Sequence, residues 1–415
     1  MLRSSPLKDR TIALGVTGGI ACYKALELLR LLTAQGAQVH VLMTEHAQRF
    51  VTPLSFETLS YHPVLTDMFA PAAEKTMKHI WLAEQAEMLV VAPATANILG
   101  KFAHGIADDL LSTFFITTRA PVLVAPAMNP AMYQHPRVQE NIAKLRQQGV
   151  EIIEPEYGRL AGPGEGEGKG RLAAPERILA RIEDRFCPKD WQGITVLVTA
   201  GPTREALDAV RFLSNPSSGK MGYAIAQAAQ RRGARVVLIS GPTHLSPPPA
   251  VECIRVTTAR EMYDAVMAHL AESDVVIKAA AVSDFRPQTT APHKLKKEEM
   301  TPTLLLERNP DILAEVGQRK GNKILVGFAA ETEAFMANAW KKMERKNLDL
   351  VVVNDVGNRT IGFGSDENQV QILYRDRRQE ELPRLPKSVL ADLLLDRILP
   401  LLSHPSREGA CPQIS

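Results

Sequence analysis

Residues 11–17 (TIALGVT) form an apolar run that closes on Gly18 and Gly19. A helical pattern over residues 20–35 follows, and then a second apolar run at residues 38–43. A strand this apolar has to be covered on both faces, and a strand–helix–strand unit of this length is the repeat of a parallel sheet. Further β-rich runs at residues 88–92 and 121–125 end in Pro-containing polar loops, as parallel strands do where they present ligand contacts. After a Gly-rich stretch at 158–170 and a short helix, a new β-run opens at 194–198 and the pattern starts again. The expected fold class is therefore α/β, with two doubly wound Rossmann-like domains at residues 1–190 and 191–402. Residues 403–415 are expected to be a disordered tail. The stretch 35–42 (QGAQVHVL) reads like 232–239 (RGARVVLI), but a Gly at each helix end and Val/Leu in the next strand is shared fold grammar, not shared function.

At 415 residues there is room for roughly two to three globular units, each with its own core. Lys+Arg 49 against Asp+Glu 46 leaves a net charge of +3, too small an excess to drive nonspecific nucleic-acid binding. Small molecules are the expected partners, with no nucleic acid and no membrane. Residues 1–10 lack an apolar signal region and no run approaches a membrane span, so the expected location is cytoplasmic. Cys22, Cys187, Cys253 and Cys411 are scattered without a CxxC pair, which argues against a disulfide framework and a zinc site.

Taken alone, residues 15–19 (GVTGG) are either a phosphate loop at a helix N-terminus or a plain tight turn, and they lack GxGxxG spacing. Neither half has that fingerprint followed by a ribose-binding acid, which disfavours an NAD-dependent dehydrogenase. Specificity comes from the series 43–45 (MTE), 92–97 (APATAN), 105–111 (GIADDLL) and 126–133 (PAMNPAMY). The last of these resembles the PxMNxxMW motif of the flavin-containing cysteine decarboxylases, and ATAN corresponds to that family's PASANT motif. The resemblance implies a flavodoxin-like domain with FMN, and with Gly18, Gly19, Thr44, Thr95 and Asn97 near its phosphate and ribityl chain. By itself His79 reads as a packed or helix-start histidine; the resemblance makes it the catalytic base beside the flavin. Asn129, otherwise a turn residue before Pro130, would hydrogen-bond the substrate carboxylate through a donor that does not titrate. A flavin is needed because loss of CO2 from an N-acylcysteine requires an electron sink, which oxidation of the thiol supplies.

One departure from that family lies at residues 160–171 (LAGPGEGEGKGR), where many members carry a proton-donating cysteine in a flexible flap. This stretch has none, although its glycines suit a mobile lid, and Glu165, Glu167 or solvent is left to deliver the proton.

In the second half, 199–205 (TAGPTRE) and 214–222 (SNPSSGKMG) place hydroxyls, a Gly and a Lys at a helix start, an anion site that is not a Walker A loop. Together they resemble the phosphopantothenate-cysteine ligases, whose other landmarks follow in order. These are Lys278, Ala279 and Ala280 with Asp284; Lys294 in the stretch 294–297; Asn309, Pro310, Asp311 and Ile312; Phe328; and Lys342 with Lys346. The last two lysines are four apart on a predicted helix, so they share a face and could both reach a triphosphate. A charged stretch such as 294–299 is usually solvated surface, but its flanking Thr, Pro and Ala, with Thr301 and Pro302 after it, make this one read as a loop that can close. The resemblance implies that 4'-phosphopantothenate attacks the α-phosphate of CTP and that cysteine captures the acyl-cytidylate. Lys294 would neutralise phosphate charge, Asp284 would hold Mg2+, and Asn215 would position the intermediate. Phe328 and the backbone at 279–280 would line the nucleotide pocket.

Both resemblances in one chain imply a fused enzyme of coenzyme A synthesis and, from family behaviour alone, a homo-oligomer in which trimers and dimers can build a dodecamer. Two alternatives stand beside it: an active ligase behind a degenerate flavin-binding domain, and a flavin-binding regulatory or assembly protein.

Overall fold

A computed structural model describes residues 5–68, 78–159, 167–295, 303–331, 335–355 and 364–402. The chain divides into two compact units, one ending at Cys187 and the other beginning at Pro188. The tail 403–415 and the flap positions 160–166, Glu165 among them, lie outside the described residues.

The first unit carries strands β1 (Thr11–Val16), β2 (Gln38–Met43), β3 (Met88–Ala94), β4 (Val122–Pro126) and β5 (Glu151–Ile152) in one parallel sheet of order β2-β1-β3-β4-β5. β1 has both faces covered, as its apolar run demands. Ile12, Leu14 and Val16 join one core while Ala13 joins the other, and β3 alternates likewise. Each such Leu, Ile or Val buried stabilises the fold by roughly 1.5–3 kcal/mol. A separate antiparallel hairpin pairs β6 (Glu156–Arg159) with β7 (Glu167–Arg171).

The second unit contains β8 (Thr195–Ala200), β9 (Arg204–Ala206), β10 (Phe212–Ser214), β11 (Arg235–Ser240), β12 (Glu252–Arg255), β13 (Val275–Lys278), β14 (Phe285–Pro287), β15 (Leu306–Arg308), β16 (Ile324–Glu331), β17 (Leu350–Asp355), β18 (Glu367–Tyr374) and β19 (Gln379–Pro386). Its main sheet runs β12-β11-β8-β13-β16-β17-β18-β19, parallel through β17 and antiparallel over the last two strands. β9–β10 and β14–β15 form short antiparallel pairs.

Element boundaries shift slightly from the sequence expectation: the first helix is Cys22–Ala34 and the helix after the second anion loop is Lys220–Arg231. The larger correction concerns the glycines of the flap. Gly168 and Gly170 are strand residues in β7, packed against residues 128–130. Met128 N–H donates to Gly170 O at 3.0 Å, and a Cβ on Gly170 would run into the Met128 carbonyl. These two glycines serve close backbone approach, not lid mobility.

Candidate functional site

A sheet of order 2-1-3-4-5 opens a crevice where the connections from its first and third strands diverge to opposite faces, at their carboxyl ends. The loops leaving β1 and β3 are the ones that carry Gly18, Gly19 and Thr95, with Asn97 in the helix that follows, and Thr44 follows the adjacent end of β2. Thr17, not singled out in the sequence, ties the two loops together. Its buried hydroxyl donates to Pro93 O at 2.8 Å and accepts Thr95 N–H at 3.0 Å. Thr95 then caps the helix Ala96–His104 by accepting Ile98 N–H, and Asn97 is exposed in that helix's first turn. A Cβ added at Gly19 would lie 3.9 Å from the Thr95 methyl. Two features fit a phosphate-bearing cofactor: Thr44 Oγ1 is buried with no hydrogen-bond partner among the described residues, and Gly18 leaves no space for a Cβ against His46.

Asn129 follows β4 as the N-cap of the helix Pro130–Gln134, its Oδ1 accepting Ala131 N–H at 2.9 Å. The cap uses the oxygen and leaves Nδ2 as the donor end of the amide. His79 is the second residue of the helix Lys78–Gln85. The acids of GIADDLL do structural work. Asp109 forms a capping box with Ser112, and Lys101 pairs with Asp108 and Asp109 at 2.6 Å each.

In the second unit, counting β8 as the first strand, the parallel order is 3-2-1-4-5-6 and the switch point lies between β8 and β13. The two loops there are stitched by buried threonines: Thr199 Oγ1 accepts Ala280 N–H at 3.2 Å and Thr203 Oγ1 accepts Ser283 N–H at 3.0 Å. A cavity of about 710 Å3 opens over this edge. Lys278, Ala279, Ala280 and Asp284 line it from the end of β13 and the loop beyond. Asn309, Pro310, Asp311 and Ile312 line it from the start of the helix Ile312–Arg319, Phe328 from β16, and Lys342 and Lys346 from the helix Phe335–Arg345 and the turn after it. Asn215 also lines it, its Nδ2 donating to Ala281 O at 3.3 Å.

Lys294 is not brought there. It is exposed and absent from the lining, because the next residue is held away: Leu295 N–H donates to Asp208 and Leu295 O accepts Arg211 Nη2 at 3.1 Å. Residues 296–302 lie outside the described residues. Sequence reading missed Asn354, Asn368 and Lys387, which come from strands and a helix far along the chain. Asn368 Nδ2 donates to Asn354 Oδ1 at 3.2 Å. No local motif marks such residues; only the sheet order brings them in.

The cavity is electropositive and partly self-neutralised. Lys346 pairs with Asp311 at 2.9 Å and Lys342 Nζ donates to Phe328 O at 2.8 Å. Lys278 is pushed down to about 8 by loss of water and by the neighbouring Lys342 and Lys346, against the pull of Asp311 and Asp284. Asp311 sits below the usual carboxylate range: Lys346 and the Ala314 N–H outweigh the opposing effect of burial. Asp284 offers one exposed carboxylate, which suits Mg2+, an ion commonly held by one or two carboxylates plus substrate phosphates.

Residues 2–187 match the Flavoprotein family and residues 191–401 match the DNA/pantothenate metabolism flavoprotein C-terminal domain. The chain is 49% identical to the coenzyme A biosynthesis bifunctional protein CoaBC of Bacillus subtilis (strain 168), over 95% of this chain and 98% of that protein. It is 45% identical to CoaBC of Escherichia coli (strain K12), over 95% of this chain and 97% of that protein. Among solved structures, the C-terminal domain of a CoaBC protein matches with a TM-score of 0.45 and 42% identity, covering 52% of this chain and 98% of that one. Both domain families and relatives aligned along almost the full length lead to one assignment: the chain belongs to the family of bifunctional coenzyme A biosynthesis proteins, and it is an enzyme that joins a ligase to a decarboxylase.

Proposed function

We propose that the second unit ligates cysteine to 4'-phosphopantothenate at the expense of CTP and that the first unit decarboxylates the phosphopantothenoylcysteine so formed to 4'-phosphopantetheine. The observation carrying this reading is the cavity at the second switch point, which gathers every nucleotide residue expected from the sequence apart from Lys294.

A carboxylate does not acylate an amine without activation. In the first step the substrate carboxylate oxygen attacks the α-phosphorus of CTP and pyrophosphate leaves. In the second the amine of cysteine attacks the acyl carbon, CMP leaves, and the amine gives up a proton. Lys278, Lys342 and Lys346 supply positive charge where the phosphates lie, and Asn215, tied to Ala281 O, orients the acyl group. Asp284 would hold Mg2+ against the phosphates. Lys294, exposed in this structure, would have to approach with its loop to neutralise charge in the first step.

In the first unit Gly18, Gly19, Thr44, Thr95 and Asn97 would hold FMN, which when bound takes a hydride equivalent from the substrate and returns it, so that CO2 loss has an electron sink. Asn129 orients the substrate carboxylate with its amide N–H groups, and His79 is the base. No cysteine stands in the stretch 160–171, so the final proton comes from Glu167, Glu165 or solvent. We further propose a homo-oligomer in which first units meet as trimers and second units as dimers, working in the cytoplasm. Among the described residues no helix is long and apolar enough to cross a membrane.

The test is mass spectrometry of the products made from 4'-phosphopantothenate, cysteine, CTP and Mg2+. Formation of 4'-phosphopantetheine is expected. Accumulation of phosphopantothenoylcysteine alone would leave a ligase behind an inactive flavin domain, and absence of both products would end the proposal.

A further inference from the structure

Three groups meet on one carboxylate close to Asn129 in the chain's fold. Glu154, just beyond β5, accepts the Tyr133 hydroxyl at 2.7 Å and pairs with Lys169 at 2.5 Å through one oxygen, and with Arg146 through the other. Tyr133 is 5% exposed and lies one helical turn after Asn129, its N–H donating to Asn129 O at 2.9 Å. Lys169 stands in β7 between Gly168 and Gly170, the two residues whose backbone rests on Met128 and Pro130, and its ammonium lies 5.6 Å from the Tyr133 ring centroid. Burial alone would raise the Glu154 carboxyl; Lys169, Tyr133 and Arg146 together hold it down to about 2. Burial and the Glu154 charge push Tyr133 up to about 12. The carboxylate therefore stays ionised and the phenol protonated throughout the working range.

We infer that Glu154 is a positioning residue for the decarboxylation step: through Tyr133 and Lys169 it clamps β7 and the helix Pro130–Gln134 against each other and thereby fixes the Asn129 amide that receives the substrate carboxylate. This deepens the decarboxylase reading proposed above and rests on it. The carboxylate of Glu154 acts through Tyr133 and Lys169 and takes no part in bond making. Its removal leaves Asn129 present but free to drift with its loop, and loss of aim at a binding group shows first in substrate affinity.

The experiment uses the full-length holoenzyme with Glu154→Ala, Lys169→Met and Lys169→Arg. It measures KM and kcat for phosphopantothenoylcysteine, flavin content, and ligation by the second unit as an internal control of intact protein. The expected result for Glu154→Ala and Lys169→Met is a KM raised by about tenfold with kcat changed less, as loss of a charge-assisted contact that aims a binding group predicts. Flavin content and ligation should be unchanged, and Lys169→Arg should restore KM. A fall in flavin content and kcat together at unchanged KM would overturn the proposal in favour of a merely structural ion pair, as would a Lys169→Arg enzyme no better than Lys169→Met. A wild-type holoenzyme that ligates but never releases CO2 would instead remove the decarboxylase reading, and this proposal with it.

Discussion

Thr44 carries a cost that a bound ligand would relieve. A buried hydroxyl without a partner destabilises by about 1–3 kcal/mol, and Thr44 Oγ1 is one such atom among the described residues, just past the end of β2, where Thr44 N–H donates to Val16 O at the end of β1. Thr44→Val keeps the shape and deletes the hydroxyl. The flavin-free protein should then be more stable by about 1 kcal/mol while FMN affinity falls about tenfold, since the cofactor loses a partner the apoprotein never had. Thermal unfolding of the apoprotein and fluorescence titration with FMN check the two halves; a destabilised apoprotein would show that the hydroxyl already has a partner.

Lys278 adds a pH dependence at the same scale. With the free side chain at about 8, it is charged below that pH, and a bound triphosphate raises its affinity for the proton. CTP affinity should therefore be flat below about pH 8 and fall by up to about tenfold per unit above it, until the raised pKa of the complex is passed. Lys342, Lys346, Asp284 and Asp311 face the same space. Lys278→Arg, charged throughout, should abolish the alkaline fall, and titration with CTP between about pH 7 and about pH 9.5 would reveal it.

At the scale of elements, both units solve the same problem with one device: a threonine at the end of the first strand bonds the loop that leaves the strand across the switch point. Thr17 reaches Thr95 in one sheet and Thr199 reaches Ala280 in the other. The strand–helix–strand rhythm was legible because a doubly covered strand needs an unbroken apolar run, and β2 appears over the residues expected of it. The strand orders were not, since 2-1-3-4-5 and 3-2-1-4-5-6 use the same local grammar and differ only in which edge the third strand joins. For that reason Asn354, Asn368 and Lys387 went unnoticed, whereas Lys278 and Asn309 could be found from local motifs. The flap glycines misled for a different reason: Gly signals either freedom or close approach, and only the contact with Met128 and Pro130 decides. The element prediction is Gly170→Ala, whose methyl would press on the Met128 carbonyl and push the Asn129 loop aside. Decarboxylation should fall at least about tenfold with ligation retained, as expected when a reacting group is displaced by about 1 Å. Assaying both steps on the same preparation separates this from general unfolding.

At the scale of the molecule, two compact units divide at residues 187 and 188, each with its own switch point and its own set of chemical groups. The proposed site residues of one unit are not shared with the other: Asn129 belongs to the first and Asn215 to the second. Nothing in the chemistry requires both steps to occur in one chain, since phosphopantothenoylcysteine is a stable amide once CMP has left. An Asn215→Ala protein should therefore fail to ligate yet still decarboxylate added phosphopantothenoylcysteine, and an Asn129→Ala protein should ligate and accumulate that intermediate. Mixed in one vessel with 4'-phosphopantothenate, cysteine, CTP and Mg2+, the two crippled proteins should together make 4'-phosphopantetheine, with a lag while the intermediate builds up to the KM of the second enzyme. The lag should shorten in proportion as the Asn215→Ala protein is added in excess, because its decarboxylase then meets the intermediate sooner. If the Asn129→Ala protein ligates but keeps the phosphopantothenoylcysteine bound, so that the mixture makes no 4'-phosphopantetheine, the intermediate passes between sites without release, and the fusion would be a channel and not merely a linkage of two enzymes.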